Sequence, residues 1–462
     1  MKTCDTITAI ATPSGRGGVG IVRISGKDAK LIALKIIKSP ATLSSTSTLQ
    51  PRLAQFTAFY DIDNSVIDEG IILFFENPHS FTGEDVVELQ SHGSPIVLDR
   101  LIKTAIHHGA RIAHPGEFSQ RAFLNKKIDL AQAEAIADLI AANSEAAARS
   151  AVRSLQGEFS KKIQTLQTAL TNLRIQIEAM IDFPEEEIDF LSDPRVIELL
   201  QKTIDDIARV KNQAKQGVLL QNGLHVVIAG KPNAGKSSLL NYLSGRDSAI
   251  VTDIPGTTRD ILRESIHIDG MPLHIVDTAG LRETTDVIEQ EGVRRAREQM
   301  AQADLILLLI DATDLKQENT DQIMLVAMEV EAPATTPILI IRNKIDLTDE
   351  VSGIIQHKDF SEIKISIKKN LGLELLINAI KKIAGFQSSE TDGFIARRRH
   401  VDAIERAHVF LLHGQHELTT NRAGELLAED LRLAQQALSE ITGEFTSDDL
   451  LGKIFSSFCI GK

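Results

Sequence analysis

Residues Gly230–Ser237 read Gly-Lys-Pro-Asn-Ala-Gly-Lys-Ser, a spacing suited to holding phosphate. The glycines let backbone N–H groups approach phosphate oxygens. Lys236 is placed to reach the β- and γ-phosphates, and the Ser237 hydroxyl to ligate Mg²⁺. The segment follows an apolar strand pattern, His225–Ala229, and leads into a helix pattern, Ser238–Leu243. That is the context a P-loop requires. Asn233, Ala234, Gly235 and Ser238 complete the expected cradle.

Further motifs follow in order. Asp277-Thr278-Ala279-Gly280 closes the strand pattern Leu273–Val276. Its aspartate is expected to hold the Mg²⁺ shell and the Gly280 amide to meet the γ-phosphate. Asn343-Lys344-Ile345-Asp346 follows the strand pattern Ile338–Ile341. A carboxylate at Asp346 accepts from guanine N1–H and the 2-amino group. Adenine lacks both donors and would leave the carboxylate unpaired, so GTP is expected rather than ATP. The Lys344 stem is expected to pack on the base. In Gly256-Thr257-Thr258-Arg259-Asp260, Thr258 is the expected switch threonine, capping Mg²⁺ when the γ-phosphate is present. Ser366-Ile367-Lys368 stands where a fifth motif is usually Ser-Ala-Lys, with a backbone contact to the guanine carbonyl expected.

One position constrains mechanism. Ras-type enzymes carry a water-orienting Gln directly after Asp-x-x-Gly. Here that position is Leu281, which cannot orient water. Either the domain only switches, or another group supplies catalysis. The acidic candidates that follow are Glu283, Asp286, Glu289 and Glu291, most of them ordinary surface charge.

These motifs need a mostly parallel sheet flanked by helices, which the alternating apolar strand and helix patterns across 220–385 predict. Residues 1–125 read as α+β, with strand patterns at Thr6–Ala11, Gly20–Ser25 and Gly70–Phe75 and a helix at Val97–His108. Residues 126–219 read as helical. Gln132–Val152 is rich in Ala and Glu. Phe159, Ile163, Leu166, Leu170, Leu173, Ile177 and Met180 form a stripe at bundle period. Pro184 ends it, Glu185–Glu187 read as a solvated helix start, and another helix spans about Arg195–Lys215. After a polar linker, Gln387–Gly393, helices return at about Val401–Leu418, Ala423–Ile441 and Asp448–Phe455, with Gly443 a stop and Ser447 an N-cap. The organisation is one helical domain interrupted by an inserted G domain, or two unrelated helical domains flanking it.

The chain has 462 residues, net charge −13 and two cysteines, Cys4 and Cys459. The acidic balance argues against broad non-specific nucleic-acid binding. Two cysteines near opposite ends make no disulfide framework and suit a reducing compartment. Met1–Pro13 lacks the pattern of a signal or presequence, and no apolar run approaches a membrane span, so a cytoplasmic protein is expected. Gly15-x-Gly17-x-x-Gly20 matches a dinucleotide fingerprint but leads into a strand pattern, and reads instead as a Gly-rich turn joining strands. His107, His108 and His114 lack metal-ligand spacing. Cys459 reads equally as a packed residue of the last helix or as a reactive thiol beside Lys462.

Four stretches outside the G domain carry a resemblance: Ala9–Gly26 (AIATPSGRGGVGIVRISG), Phe81–His92 (FTGEDVVELQSH), Pro115–Leu139 (PGEFSQRAFLNKKIDLAQAEAIADL) and Cys459–Lys462 (CIGK). With the G motifs they resemble the MnmE (TrmE) family of tRNA-modification GTPases along the whole chain. The resemblance implies a multidomain α/β and α+β protein. Its parts would be an N-terminal α+β tetrahydrofolate-binding and dimerisation domain over 1–125, a discontinuous α-helical domain over 126–219 and 386–462, and an inserted Ras-like P-loop G domain with a mostly parallel sheet over 220–385. It implies a homodimer, and a heterotetramer with the flavoprotein MnmG (GidA). The complex would place an aminomethyl or carboxymethylaminomethyl group on C5 of the wobble uridine of certain tRNAs, the one-carbon unit coming from 5,10-methylenetetrahydrofolate.

The same resemblance implies roles for single residues. The two G domains would approach across nucleotide, with K⁺ where an arginine finger would otherwise stand. Asn233 would be its side-chain ligand. Backbone carbonyls of the loop Thr252, Asp253, Ile254, Pro255, Gly256 and Thr257 would complete the shell, with Thr252, Ile254 and Thr257 as ligands. Glu289 would be the catalytic glutamate. Arg23, Glu88, Lys127 and Lys462 would form the folate pocket, with 5-formyl-tetrahydrofolate as a pocket ligand; Arg and Lys can pair with folate carboxylates. Cys459 matches the family's terminal cysteine. Ser94 stands where the second glycine of a His-Gly-Gly is expected. Two readings compete with tRNA modification: a ribosome-assembly GTPase binding rRNA, whose usual KH module or basic tail is not evident in the C-terminal helices, and a folate-binding protein whose G domain is only regulatory.

Overall fold

The computed structural model describes residues 5–37, 49–182, 194–245, 263–277, 300–314, 333, 336–357, 360–386, 393–444, 448–456, 458 and 461. The chain divides into two compact units. One comprises 1–137, 155–171 and 431–462; the other comprises 138–154 and 172–430.

The first unit is built on strands β1 (Ile7–Ile10), β2 (Gly17–Ser25), β3 (Gln55–Tyr60), β4 (Val66–Phe75), β5 (Val86–Gly93) and β6 (Arg111–Ile112), in sheet order β3-β4-β5-β2-β1-β6. Only β1–β6 is parallel. Helices α1 (Ala29–Ile37) and α2 (Pro95–His107) belong to a core with Val22, Ile24, Phe59, Ile72, Leu89 and Leu101. Side chains alternate along a strand, so Arg23, between Val22 and Ile24, faces the other way. There its guanidinium lies 5.7 Å from the ring centroid of Phe118, on helix α3 (Glu117–Leu124). Gly15, at φ +123°, lies in the connection between β1 and β2, and Gly17 and Gly20 lie within β2, paired with Gly93 and Ser91, so the run joins two strands and no dinucleotide turn forms. Ser94 sits at φ −87° as the N-cap position of α2, a conformation any residue adopts, and needs no glycine.

The helical stretches depart from expectation in two places. Gln132–Val152 is two helices, α4 (Leu130–Ala141) and α5 (Glu145–Leu155). Ser144 caps the second through its hydroxyl, which accepts from the Ala147 amide at 3.1 Å; this local bond competes with continuing the helix. The Phe159–Ile177 stripe lies buried along α6 (Glu158–Asp182), with Met180 half-buried at its end. The helix expected to end near Lys215 runs on through Gly217 as α7 (Pro194–Asn222) and stops at Gly223, which has φ +69°. Pro184, Glu185–Glu187, Ser447 and most of the 387–393 linker lie outside the described residues.

The second unit contains a seven-stranded sheet: β7 (Leu224–Gly230), β8 (Arg263–Ile268), β9 (Met271–Asp277), β10 (Leu305–Asp311), β11 (Ile338–Asn343), β12 (Gly353–Gln356) and β13 (Ser361–Lys364). The order is β12-β13-β11-β10-β7-β9-β8. The four inner pairings are parallel, and the two edge pairings are antiparallel. Both faces are covered. Val226, Ile228, Leu307, Leu339 and Ile341 enter one core, while Val227, Ala229, Ile306, Leu308 and Ile340 enter the other. Such strands read as continuous apolar runs, which is why the inner ones are visible in the sequence. Helices α8 (Lys236–Ser244) and α9 (Leu373–Ala384) contribute to the first core. The C-terminal helices are α10 (Arg398–His416), α11 (Gly424–Thr442) and α12 (Asp448–Ser456), with a π-helical turn, Glu417–Asn421, after α10.

Candidate functional site

After β7 the chain crosses to β8 and β9 on one side, then returns to β10 on the other. The sheet therefore changes direction beside β7, and ligands of open α/β sheets bind outside the carboxyl ends of strands at such a point. β7 ends at Gly230, β9 at Asp277, β10 at Asp311 and β11 at Asn343, all at that edge. A cavity of about 980 Å³ opens there. Gly230, Asn233, Gly235, Lys236, Ser237 and Ser238 line one wall, and Asn343, Lys344, Asp346 and Ser366 another.

The loop is shaped for phosphate. Gly230, Asn233 and Gly235 all have positive φ, at +140°, +64° and +106°. A Cβ on Gly230 would stand 2.3 Å from the Leu309 carbonyl oxygen, and one on Gly235 would stand 2.3 Å from Asn343 Nδ2, so both positions demand glycine. No side chain caps the N-terminus of α8, which leaves the amides of its first turn directed toward the cavity that Lys236, Ser237 and Ser238 line. Lys236 is almost fully buried, and its ammonium donates to the carbonyls of Gly230 (2.8 Å) and Lys231 (2.9 Å). A buried cation beside uncapped amides fits the phosphates of a nucleotide.

Asn343 ties the two walls together. Its Nδ2 donates to the Ala234 carbonyl at 2.9 Å, and its Oδ1 accepts from the Ile367 amide at 3.2 Å. The Ile367 amide is therefore engaged within the protein. Asp346 Oδ1 accepts from the Ser366 hydroxyl at 2.5 Å, which fixes the carboxylate's rotation at the cavity wall. Ser366 in turn accepts from the Lys369 amide at 3.2 Å. Lys344, at φ +67°, donates to Asp311 Oδ2 at 2.6 Å. Burial would raise the Asp311 carboxyl, but hydrogen bonds from Lys344 and from the Thr313 amide and hydroxyl outweigh it and hold it below the usual carboxylate range. Asp311 thus stays ionised and anchors the Lys344 side chain.

The sequence motifs do not include Asp311. Its only sequence signal is its place as the last residue of an apolar strand. Leu347, Ile367 and Lys368 also line the cavity. Asp277 is described through its backbone, in register with Ile228. Thr252, Asp253, Ile254, Pro255, Gly256, Thr257, Thr258, Thr278, Ala279, Gly280, Leu281 and Glu289 lie outside the described residues.

A second polar cluster lies in the first unit. Arg23 Nε and Nη2 donate to Glu88 Oε1 at 3.0 and 2.8 Å across the β2–β5 pair. Arg23 Nη1 also donates to the Gly461 carbonyl at 3.4 Å. A Cβ on Gly461 would stand 2.1 Å from the Ile10 carbonyl oxygen, so the C-terminal segment passes hard against β1. Arg23, Glu88 and residue 461 are thereby brought together. Lys127 is exposed and donates to the Pro78 carbonyl at 2.9 Å; among the described residues no hydrogen bond joins it to the Arg23–Glu88 pair. Cys459 and Lys462 lie outside the described residues. No described group of three or more His, Cys, Asp or Glu is arranged for a metal, and no described helix is long and apolar enough to cross a membrane.

Asn343→Ala would leave the Ala234 carbonyl and the Ile367 amide unpaired, at about 1–3 kcal/mol each. Affinity for GDP should fall at least tenfold in a fluorescence titration with ribose-labelled GDP. Unchanged affinity would contradict the role given to Asn343.

Comparison with known proteins places the chain in one family. The MnmE helical domain family matches residues 130–459, and the family of the GTP-binding protein TrmE N-terminus matches residues 6–127. The chain is 59% identical over 458 residues to "tRNA modification GTPase MnmE" of Coxiella burnetii (strain RSA 493 / Nine Mile phase I), covering 99% of each chain. It is 57% identical over 464 residues to the protein of the same name from Proteus mirabilis (strain HI4320), covering 100% of each. Among solved structures it is similar to the G domain of the T. maritima FeoB iron transporter, at 24% identity over 35% of this chain and 98% of that one, with a TM-score of 0.25. With a family match over most of its length and full-length relatives above half identity, the chain belongs to the MnmE family of tRNA modification GTPases.

Proposed function

We propose that this chain hydrolyses GTP as the GTPase component of a system that modifies C5 of the wobble uridine in certain tRNAs. The observation that carries the reading is the cradle held by Asn343, with the P-loop on one side and Asp346 on the other. Asp346 offers its carboxylate to guanine N1–H and the 2-amino group, and Lys236 and the first turn of α8 take the phosphates. Ser237 would ligate Mg²⁺, joined by Thr258 when the γ-phosphate is present, with Asp277 in the outer shell. Mg²⁺ supplies charge neutralisation between the β- and γ-phosphates when bound.

The finer assignments rest on the family resemblance. The domains divide as 1–125, 126–219 with 386–462, and 220–385. Asn233, which lines the cavity at positive φ, is the side-chain ligand to K⁺ in this reading. Glu289 takes the water-positioning role that Leu281 cannot. Arg23, Glu88, Lys127 and Lys462 hold a reduced folate. The Arg23–Glu88 pair beside Gly461 supports this, because a guanidinium held by one carboxylate has further donors for a ligand. The chain acts as a homodimer and with a flavoprotein partner, and Cys459 serves the modification step.

Nucleoside mass spectrometry of tRNA from cells with and without the chain tests the function. The C5-substituted uridine should disappear without it; an unchanged profile would sink the reading. For the cation, wild type should hydrolyse GTP faster in K⁺ than in Na⁺, and Asn233→Ala should abolish the difference. Equal wild-type rates in the two salts would remove K⁺ from the account.

A further inference from the structure

The entry segment, the exit segment and one hairpin tip of the inserted sheet all touch one short piece of the helical part, within the second unit. The first point is its entry: Gln221, in the last turn of α7 before β7, donates through Nε2 to Asp138 Oδ1 on α4 at 3.1 Å. The second is its exit. Arg397, at the N-cap of α10, donates through Nη2 and Nε to the two oxygens of the same Asp138, at 2.8 and 3.4 Å. Two residues earlier, Ile395 exchanges both backbone groups with Ser154 of α5, its amide donating at 2.9 Å and its carbonyl accepting at 3.1 Å. The third point is the tip of the β8–β9 hairpin. The Gly270 carbonyl accepts from Ser144 at 3.4 Å, and a Cβ on Gly270 would stand 3.0 Å from Ala146 Cβ.

These contacts are tight and polar where apolar packing would serve a scaffold as well. The Asp138 side chain is 5% exposed and Ser154 is almost fully buried. The exit segment lies so close to α7 that a Cβ on Gly217 would stand 2.4 Å from the Phe394 carbonyl oxygen. A buried ion pair adds little net stability over apolar residues of similar size, but it fixes one geometry. The hairpin has a further property. β8 follows directly on the segment holding Thr252–Thr258, and β9 ends at Asp277, the start of the second motif. One end of this strand pair is thus joined covalently to both expected nucleotide-sensing segments, and the other end rests on the N-terminus of α5.

We propose that residues 138–154 are the relay through which nucleotide occupancy leaves the G domain, with Asp138 as the positioning residue that locks its entry and exit segments together. The inference rests on the reading of the cradle as a guanine-nucleotide site. Asp138 touches no nucleotide. It acts by making the entry helix, the exit segment and the hairpin seat move as one body, so a shift at the strand ends reaches α4 and α5 without loss.

Amide hydrogen exchange of the full chain, with GDP and with a non-hydrolysable GTP analogue and Mg²⁺, tests this. In wild type, replacing GDP by the analogue should change exchange across 138–154 severalfold. Asp138→Asn keeps an acceptor for Gln221 but loses the charge that Arg397 pairs with. It should bind GDP within twofold of wild type while its response across 138–154 falls at least fivefold, within the usual range of allosteric coupling. Arg397→Gln should repeat that loss, and Asp138→Glu should recover part of the response. A wild-type-sized response to the GTP analogue in Asp138→Asn would overturn the proposal. So would a loss of GDP binding in Asp138→Asn and Arg397→Gln alike, since that marks a purely structural contact. Failure of wild type to bind GDP would instead overturn the reading of the cradle.

Discussion

The proposed nucleotide site depends on one side chain that holds its two walls together. Asn343 ends β11 and spends both ends of its amide on backbone, the Ala234 carbonyl of the phosphate loop and the Ile367 amide of the segment after β13. Two loops from distant parts of the chain are thus held at one spacing. The arrangement requires Gly235, because any Cβ there would occupy the place of the Asn343 amide nitrogen. Sequence, loop conformation and cavity shape are therefore a single constraint seen at three levels. In the proposed reading, phosphate recognition by Lys236 and base recognition by Asp346 both take their geometry from it.

Around this constraint the other polar groups hold their partners in place. Asp311 fixes Lys344, and Ser366 fixes Asp346. A carboxylate held in one rotation by a hydroxyl is preorganised for the paired donors of guanine, and preorganisation is where binding sites gain specificity. In the first unit the same logic appears between Arg23 and Glu88, whose cross-strand pairing on the face away from the α1–α2 core aims the guanidinium toward the C-terminal segment.

Much of this was legible in the sequence because it is local. Gly230–Ser237 declares itself through residue spacing, and the inner parallel strands through unbroken apolar runs buried on both faces. Two strands of the second sheet stayed hidden because they are polar. β8, at one edge, reads Arg-Glu-Ser-Ile-His-Ile, as edge strands commonly do, and β13, next to the other edge strand β12, is only four residues long and reads Ser-Glu-Ile-Lys. Asp311 was hidden for another reason: its partner Lys344 lies on the loop after a neighbouring strand, and only the β10–β11 register brings Asp311 level with Asn343. The break between α4 and α5 was overridden in the sequence by helix-favouring Ala and Glu, where the Ser144 cap decides the outcome. The join of Asp138 to both G-domain connections spans 259 positions at its longer arm and leaves no local trace.

The central claim is a phosphate cradle and a guanine-reading carboxylate held in register by Asn343. Competition of GDP, IDP and ADP against labelled GDP on the full chain tests it most directly. IDP lacks the 2-amino group and ADP lacks both donors that Asp346 accepts. The account predicts GDP tightest, IDP weaker, and ADP weaker than GDP by roughly 10⁴-fold. ADP binding within tenfold of GDP would contradict it.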